Sequence, residues 1–362
     1  MQAQKVNIAQ FLIKFCLAKR LSTLFVLELS VGLRPIRESL LAIDLFSGVG
    51  GLGYGFRTSG FRLVGFEVNR KKVLTYMLNV GQAVEADVRF VNFERFRGSA
   101  EVIIAGPPCR PYSCATPKHR RGRVHPEYGL DLEVVRAVEQ VGPRVVVVEE
   151  VPSWNPKRLS KSLRELGYRV SSRLIAFSDY GVPTLRKRLI LLGIQDLDPE
   201  GVFGALEGEK EEPANPAEVL HGLPEKPNGF PDHRTYEVRS QIRELFKYIP
   251  PGYSFRSAYR AGLIPKQLVR RLIKHPEVKH GYWLYRVPLR GLVKVVPHPR
   301  RSMVLHPIHD RMLTVRELAR LMTYPDSFSF KPLNVDEAMR AIGESVPPRF
   351  SEKLAKSLFK LL

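Results

Sequence analysis

From Leu40 onward, short apolar runs alternate with amphipathic stretches. The run 40–46 is apolar apart from Asp44 and predicts a buried strand. Ser47-Gly48-Val49-Gly50-Gly51-Leu52-Gly53 follows as a glycine-rich turn, and a helix is expected from there to about Ser59. A second strand is expected over 62–66, ending at Glu67. A helix over 70–79 and a short strand ending near Asp87 come next. The strand predicted over 101–105 stops abruptly at Gly106-Pro107-Pro108-Cys109, because proline has no N–H for a central ladder. Beyond a basic loop, Lys118-His119-Arg120-Arg121-Gly122-Arg123, the pattern predicts a helix over 130–141 and a strand over 144–148 that ends in Glu149-Glu150. Two more strands are expected over 170–177 and 188–194. Strands alternating with helices imply a wound α/β sheet.

The pattern breaks near Asp196. Residues 201–301 are rich in proline, glycine and basic residues, with scattered aromatics at Tyr248, Tyr253, Phe255, Tyr259, Tyr282, Trp283 and Tyr285. This stretch reads as the body of a second, smaller and less regular domain. Regularity returns over 313–321, where Thr314 and Glu317 have capping-box spacing. A last helix is expected after Pro347-Pro348. The division expected is an extension over 1–39, a sheet domain over 40–195, the irregular domain over 196–334, and a helix over 335–362 returning to the sheet. Lys14, Lys19 and Arg20 interrupt the apolar runs of the first segment, and no clear small-residue cleavage site follows. An extra helical arm or a start taken too early fits it better than a signal sequence.

Charge changes the picture. Fifty-seven Lys and Arg oppose 36 Asp and Glu, a net +21, which points to a polyanionic partner, most often nucleic acid. No apolar run is long enough to span a membrane. The three cysteines, Cys16, Cys109 and Cys114, show no paired framework, so a reducing cytoplasm is expected. Cys109, Cys114, His119 and His125 match no common zinc spacing, and no metal is expected.

The candidate chemistry lies at strand ends, where open α/β sheets bind ligands. Cys109 sits on a stiff loop, the setting of a thiolate that attacks. The glycine turn lets a ligand approach the backbone, Glu67 can accept from ribose hydroxyls, and Asp87 can meet an adenine amine. Glu149, after four valines, is costly unless paired or at an open edge. Arg186 and Arg188, two apart, can clamp a carboxylate and a carbonyl oxygen. Arg110 and the basic loop are expected to lower the pKa of Cys109.

In order along the chain, six segments resemble the cytosine-5 DNA methyltransferases. They are Asp44 through Gly51, Gly106-Pro107-Pro108-Cys109, Glu149-Glu150-Val151-Pro152, Tyr180 through Arg188, Leu313 through Leu321 with Tyr324-Pro325-Asp326-Ser327-Phe328, and Gly343-Glu344-Ser345-Val346-Pro347-Pro348. The resemblance implies a Rossmann-like methyltransferase sheet using S-adenosylmethionine, with the irregular domain recognising the target. It implies a Cys109 attack on cytosine C6, Glu149 on the ring nitrogen and amine, and Arg188 on the base carbonyl, with Arg186 beside it. Cofactor contacts are implied for Phe46, Ser47, Gly48, Gly50, Gly51, Glu67, Asp87, Pro107 and Ser345. Double-stranded DNA is the implied substrate, with the cytosine flipped out of the stack and the basic loop closing over the backbone, and a cognate restriction endonuclease is a candidate partner. A tRNA methyltransferase of the same fold and a non-catalytic DNA-binding relative are the alternatives. The sequence departs from the family at four amide positions, which here hold Arg110, Glu150, Thr184 and Glu344. Strand alternation is expected to point Glu150 away from Glu149. Losing four amides fits adaptation to high temperature.

Overall fold

The sheet of this computed structural model has seven strands, six running in one direction and one against them. They are β1 (Leu41–Leu45), β2 (Arg62–Glu67), β3 (Gln82–Glu85), β4 (Val102–Ala105), β5 (Val145–Glu150), β6 (Arg169–Ala176) and β7 (Lys187–Ile194), in the order β3-β2-β1-β4-β5-β7-β6. The reversed strand is β7, between β5 and β6. The described residues are 40–114, 116–227, 229–273, 283–294 and 302–360. The segment 1–39 with Cys16, and Tyr282, lie outside them. The order turns back between β1 and β4, whose paired residues run to Leu45 and Ala105. A crevice outside the carboxyl ends of the strands is expected at that switch point.

Val145, Val146, Val147 and Val148 are all completely buried, as in a parallel sheet covered on both faces. On one face, helices α3 (Glu133–Val141) and α4 (Lys157–Glu165) join Val134, Val138, Leu159 and Leu163 to Ile43, Ile103, Val146 and Val148. On the other lie α1 (Gly51–Thr58), α5 (Pro199–Glu207) and the last helix, packed through Phe56, Phe203, Phe350 and Leu354 against Ala42, Ile104 and Val147. The sheet pattern therefore continues past the expected break at Asp196. Asp198 caps α5 by accepting from the Glu200 N–H at 3.0 Å, and Pro199 occupies its first turn. Both are start signals that the Pro- and Gly-rich composition beyond them obscured.

The remaining α-helices among the described residues are α2 (Arg70–Asn79), α6 (Pro216–Val219), α7 (Ser240–Arg243), α8 (Phe255–Arg260), α9 (Lys266–Leu272), α10 (Val315–Leu321), α11 (Val335–Glu344) and α12 (Pro348–Phe359). The capping box of α10 forms as its spacing predicts. Thr314 Oγ1 accepts from the Glu317 N–H at 3.1 Å, and Glu317 Oε2 accepts from the Thr314 N–H at 2.8 Å. Between α6 and α10 the backbone is short-elemented, and its apolar cluster includes Phe246, Phe255, Trp283 and Leu305. Arg286, 3% exposed, holds that region together by donating to the carbonyls of Phe246, Ile249, His306 and His309 and pairing with Asp310. Helix α12 returns across α1 at Gly55, where a Cβ would lie 2.3 Å from the Glu352 nitrogen.

Candidate active site

The glycine turn and the acidic strand end that were read as cofactor contacts meet in space. Phe46 takes a left-handed backbone, φ 56°, which ends β1 and turns the chain into the loop. The Ser47 N–H donates to Phe66 O at 3.0 Å, and the Gly48 N–H donates to Glu67 Oε2 at 3.1 Å. Glu67 Oε1 accepts from the Asn69 N–H at 2.9 Å. Ser47 Oγ is buried without a partner. Gly51 leaves room for the α11–α12 connection, since a Cβ there would lie 2.3 Å from Val346 O and 3.0 Å from the Ser345 Cβ. Gly50, also left-handed, precedes α1 directly. Asp87 caps the turn Val88–Phe90 and is gripped by its neighbour, with Arg89 Nε 3.0 Å from Oδ1 and Nη2 2.5 Å from Oδ2. That hydrogen-bonded guanidinium holds the Asp87 carboxyl below its ordinary pKa. Beneath the turn, Asp44 and Tyr76 both stand against Gly53, and burial pushes the Asp44 carboxyl up to about 8.

The Cys109 loop is anchored from behind. Cys109 O accepts from the N–H groups of Tyr112 (3.0 Å) and Ser113 (2.8 Å). Tyr112 Oη donates to Asp131 Oδ1 at 3.0 Å, Trp154 Nε1 donates to Asp131 Oδ2 at 3.1 Å, and Ser153 Oγ donates to Tyr112 O at 2.7 Å. No motif marked Asp131 or Trp154; only the loop's need for an anchor would have found them. Pro107 is buried, and Glu149 Oε2 lies 3.8 Å from where a Gly106 Cβ would be. The loop and the end of β5 therefore face each other. Arg188 Nε sits 2.9 Å from Glu149 Oε1, the pair largely removed from solvent.

Three expectations change here. Arg110 does not activate the thiol: it is exposed and paired with Glu127 at 2.6 Å, at the outer side of the loop. Burial, then Glu150 and Glu149, push the Cys109 thiol up to about 11, with Arg188 opposing them. The basic loop does not reverse this, because its residues stand on exposed turns, Lys118–Arg120 and Gly122–Val124. Arg186 does not share a clamp with Arg188. Fully inside the protein, it donates to the carbonyls of Gly343 (2.6 Å) and Glu344 (3.1 Å), tying the start of β7 to the end of α11 beside Ser345. Burial and the neighbouring Arg188 push its pKa down to about 9. Glu149 and Glu150 do diverge. Glu149 reaches Arg188, while Glu150 folds back so that its Oε2 accepts from the Val151 N–H at 2.6 Å. Both still act on Cys109.

A glycine turn at β1–β2 that meets an acidic strand end, a thiol and a guanidinium-paired carboxylate at β4–β5–β7, and this strand order are those of a Rossmann-like methyltransferase fold. The model of the C-5 cytosine-specific DNA methylase family matches residues 40–360, and the chain belongs to that family. It is 30% identical to the type II methyltransferase named M.MJ0563P of Methanocaldococcus jannaschii over 88% of this chain and 99% of that one. It is 27% identical to type II methyltransferase M1.HphI of Haemophilus parahaemolyticus over 89% and 87%. Among solved structures, the fold matches a prophage-encoded DNA modification methyltransferase from Escherichia coli, with TM-score 0.63 and 24% identity over 89% of this chain and 99% of that one. It also matches S. pombe Dnmt2, with TM-score 0.58 and 18% identity over 89% and 97%.

Proposed function

We propose that this DNA cytosine-5 methyltransferase works through Cys109 on a cytosine turned out of the duplex. The observation that carries the reading is the pairing of Glu149 with Arg188 opposite the Cys109 loop. Cys109 sulfur forms a bond to C6 of the ring, and the displaced ring electrons move toward C5 and N3. Glu149 accepts from the exocyclic amine and shares a proton with N3, and Arg188 donates to the base carbonyl while keeping Glu149 in place. S-Adenosylmethionine, when bound, supplies an electrophilic methyl group for C5. A base then takes the C5 proton, the C5–C6 double bond re-forms, and the C6–S bond breaks to return the Cys109 thiolate. Burial favours the protonated thiol at rest, so its proton passes to solvent water as the C6–S bond forms.

The residues fit the cofactor. Gly48, Glu67 and the buried, unpartnered Ser47 Oγ offer hydrogen-bonding groups at one turn. Phe46, Gly50, Gly51, Asp87, Pro107 and Ser345 would complete the pocket. Residues 196–334 would read the target bases, and the Lys118–Arg123 loop would hold phosphates without reading sequence. Protection of host sites from a cognate restriction endonuclease, in the cytoplasm, fits the type II relatives.

The test is methyl transfer from labelled S-adenosylmethionine to mixed-sequence duplex DNA, beside Cys109→Ala. Label in DNA, lost by about a thousandfold or more in the variant, is expected. A 5-fluorocytosine duplex should trap the wild-type protein covalently. Label appearing only in transfer RNA, or transfer undiminished in the variant, would overturn the reading.

A further inference from the structure

Glu150 has no role in that scheme, yet it is 1% exposed and stands beside the reacting thiol. Among the described residues it makes no ion pair. One carboxyl oxygen accepts from the Val151 N–H, and the other, Oε1, is buried with no partner. The groups that face it are two carboxyls, a thiol, a phenol and one cation. Glu149 precedes it on β5, Asp131 comes from the turn Leu130–Leu132 before α3, Cys109 and Tyr112 come from the β4 loop, and Arg188 comes from β7. Arg188 is already paired with Glu149, and Asp131 is taken by Tyr112 and Trp154. A buried carboxylate without its own cation is driven to neutrality.

We infer that Glu150 is a neutral acid in the working protein, a positioning residue that supplies one donor and one acceptor where the family resemblance places an amide, and that its proton keeps a second negative charge from Cys109. A protonated carboxyl offers an O–H donor and a C=O acceptor, the same pair of functions that a primary amide offers from its N–H and C=O. The substitution at this position is thereby conservative in hydrogen bonding, provided the proton stays. Burial is the main force keeping it, with Glu149 adding to it, and together they push the group up to about 9 despite the Val151 N–H. Once the proton leaves, the new charge faces a thiol that must itself become negative, so the two ionisations oppose each other.

The inference rests on the proposed reaction only for what the Cys109 thiol is used for, and its test reads the thiol directly. Alkylation of Cys109 by iodoacetamide is followed by peptide mass spectrometry from about pH 6 to 10 in the full chain and in Glu150→Gln. The two rate profiles should coincide below about pH 8. Above about pH 9 the variant should react faster, by about tenfold if the lost charge is worth one pKa unit. An infrared difference spectrum at pH 7 should show a protonated-carboxyl stretch in the wild type that the variant lacks. An offset at every pH, or a missing band, would mean that Glu150 is ionised at rest and would overturn the inference; so would coincident profiles throughout. If Glu150→Gln does not fold, Glu150→Asn is read by the same criteria. Absent methyl transfer with the expected alkylation profiles would sink the proposed reaction and leave this inference standing.

Discussion

The two halves of the sheet's carboxyl edge are built on different electrostatic terms. At β1–β3 the carboxylates of Glu67 and Asp87 are already provided for, while Asp44, buried beneath the turn, is not. Glu67 accepts from Gly48 and Asn69, and Asp87 holds Arg89. At β4, β5 and β7, Cys109, Glu149 and Glu150 crowd together, and among the described residues Arg188 is the one cation in a salt bridge there, with Glu149. The first half resembles a preformed mould that a ligand enters with little rearrangement. The second half stores uncompensated acidity beneath a thiol that burial keeps protonated. A neutral, polar ring entering between Cys109 and Glu149 would supply the hydrogen bonds this half lacks. On the proposed assignment, the contrast is between a cofactor half whose Glu67 and Asp87 already have partners and a reacting half that its substrate would complete.

The largest effect expected from breaking this contrast comes from Arg188→Ala. It leaves Glu149 buried without its cation, the case in which loss of one partner costs about 3–5 kcal/mol. Denaturant unfolding should show a lower midpoint at unchanged slope. Methyl transfer should fall as well, since the carbonyl contact goes with it. A midpoint shift worth less than about 1 kcal/mol would place the pair among solvent-screened bridges and remove the contrast.

A second expectation concerns pH. The folded state keeps protons on Asp44 up to about 8 and on Glu150 up to about 9, while the ordinary values are 3.8 and 4.5. Between those limits the folded chain binds more protons than the unfolded one. Stability then falls as pH rises, by up to about 1.4 kcal/mol per pH unit for each group. His306 works in the opposite direction at lower pH. Burial pushes it down to about 4, so its stabilisation is lost as pH falls from 6.5 toward 4. The carboxyls therefore dominate between roughly pH 6.5 and 8. Thermal midpoints across that window should decline in the wild type, less steeply in Asp44→Asn, and less again when Glu150→Gln is added. Equal slopes in all three would show that neither carboxyl carries a shifted proton.

Much of this edge was legible beforehand. Seven strands, the turn at Ser47–Gly53 and the stiff loop at Cys109 follow from apolar runs punctuated by glycine and proline. The placement of Glu67, Asp87 and Glu149 at strand ends follows from the same pattern. What was not legible is which group each side chain finds. Arg186 and Arg188 have the same local spacing, but α11, 157 residues away from Arg186 in sequence at Gly343, claims one and Glu149 claims the other. Arg110 looks like an activator until Glu127 is seen beside it. Helix α5 was hidden because its start signals lie where composition turns irregular. Local pattern carries the elements, whereas partner choice depends on tertiary approach.

The smallest effect, and the sharpest test of the satisfied half, is Arg89→Ala. Arg89 is solvent-exposed and packs its guanidinium along both oxygens of Asp87. If Asp87 is to accept from an adenine amine, that guanidinium competes for the same lone pairs or shares them. Removing it frees the carboxylate but also removes a positive charge that holds it ionised. An exposed pair is weak, so competition predicts S-adenosylmethionine binding tighter by no more than about fivefold in calorimetric titration, with the thermal midpoint unmoved. Weaker binding would instead make Arg89 part of the contact. The β1–β3 half would then be completed by its ligand, as is proposed for the Cys109 half, and the difference between the two halves would narrow to the thiol and its acids.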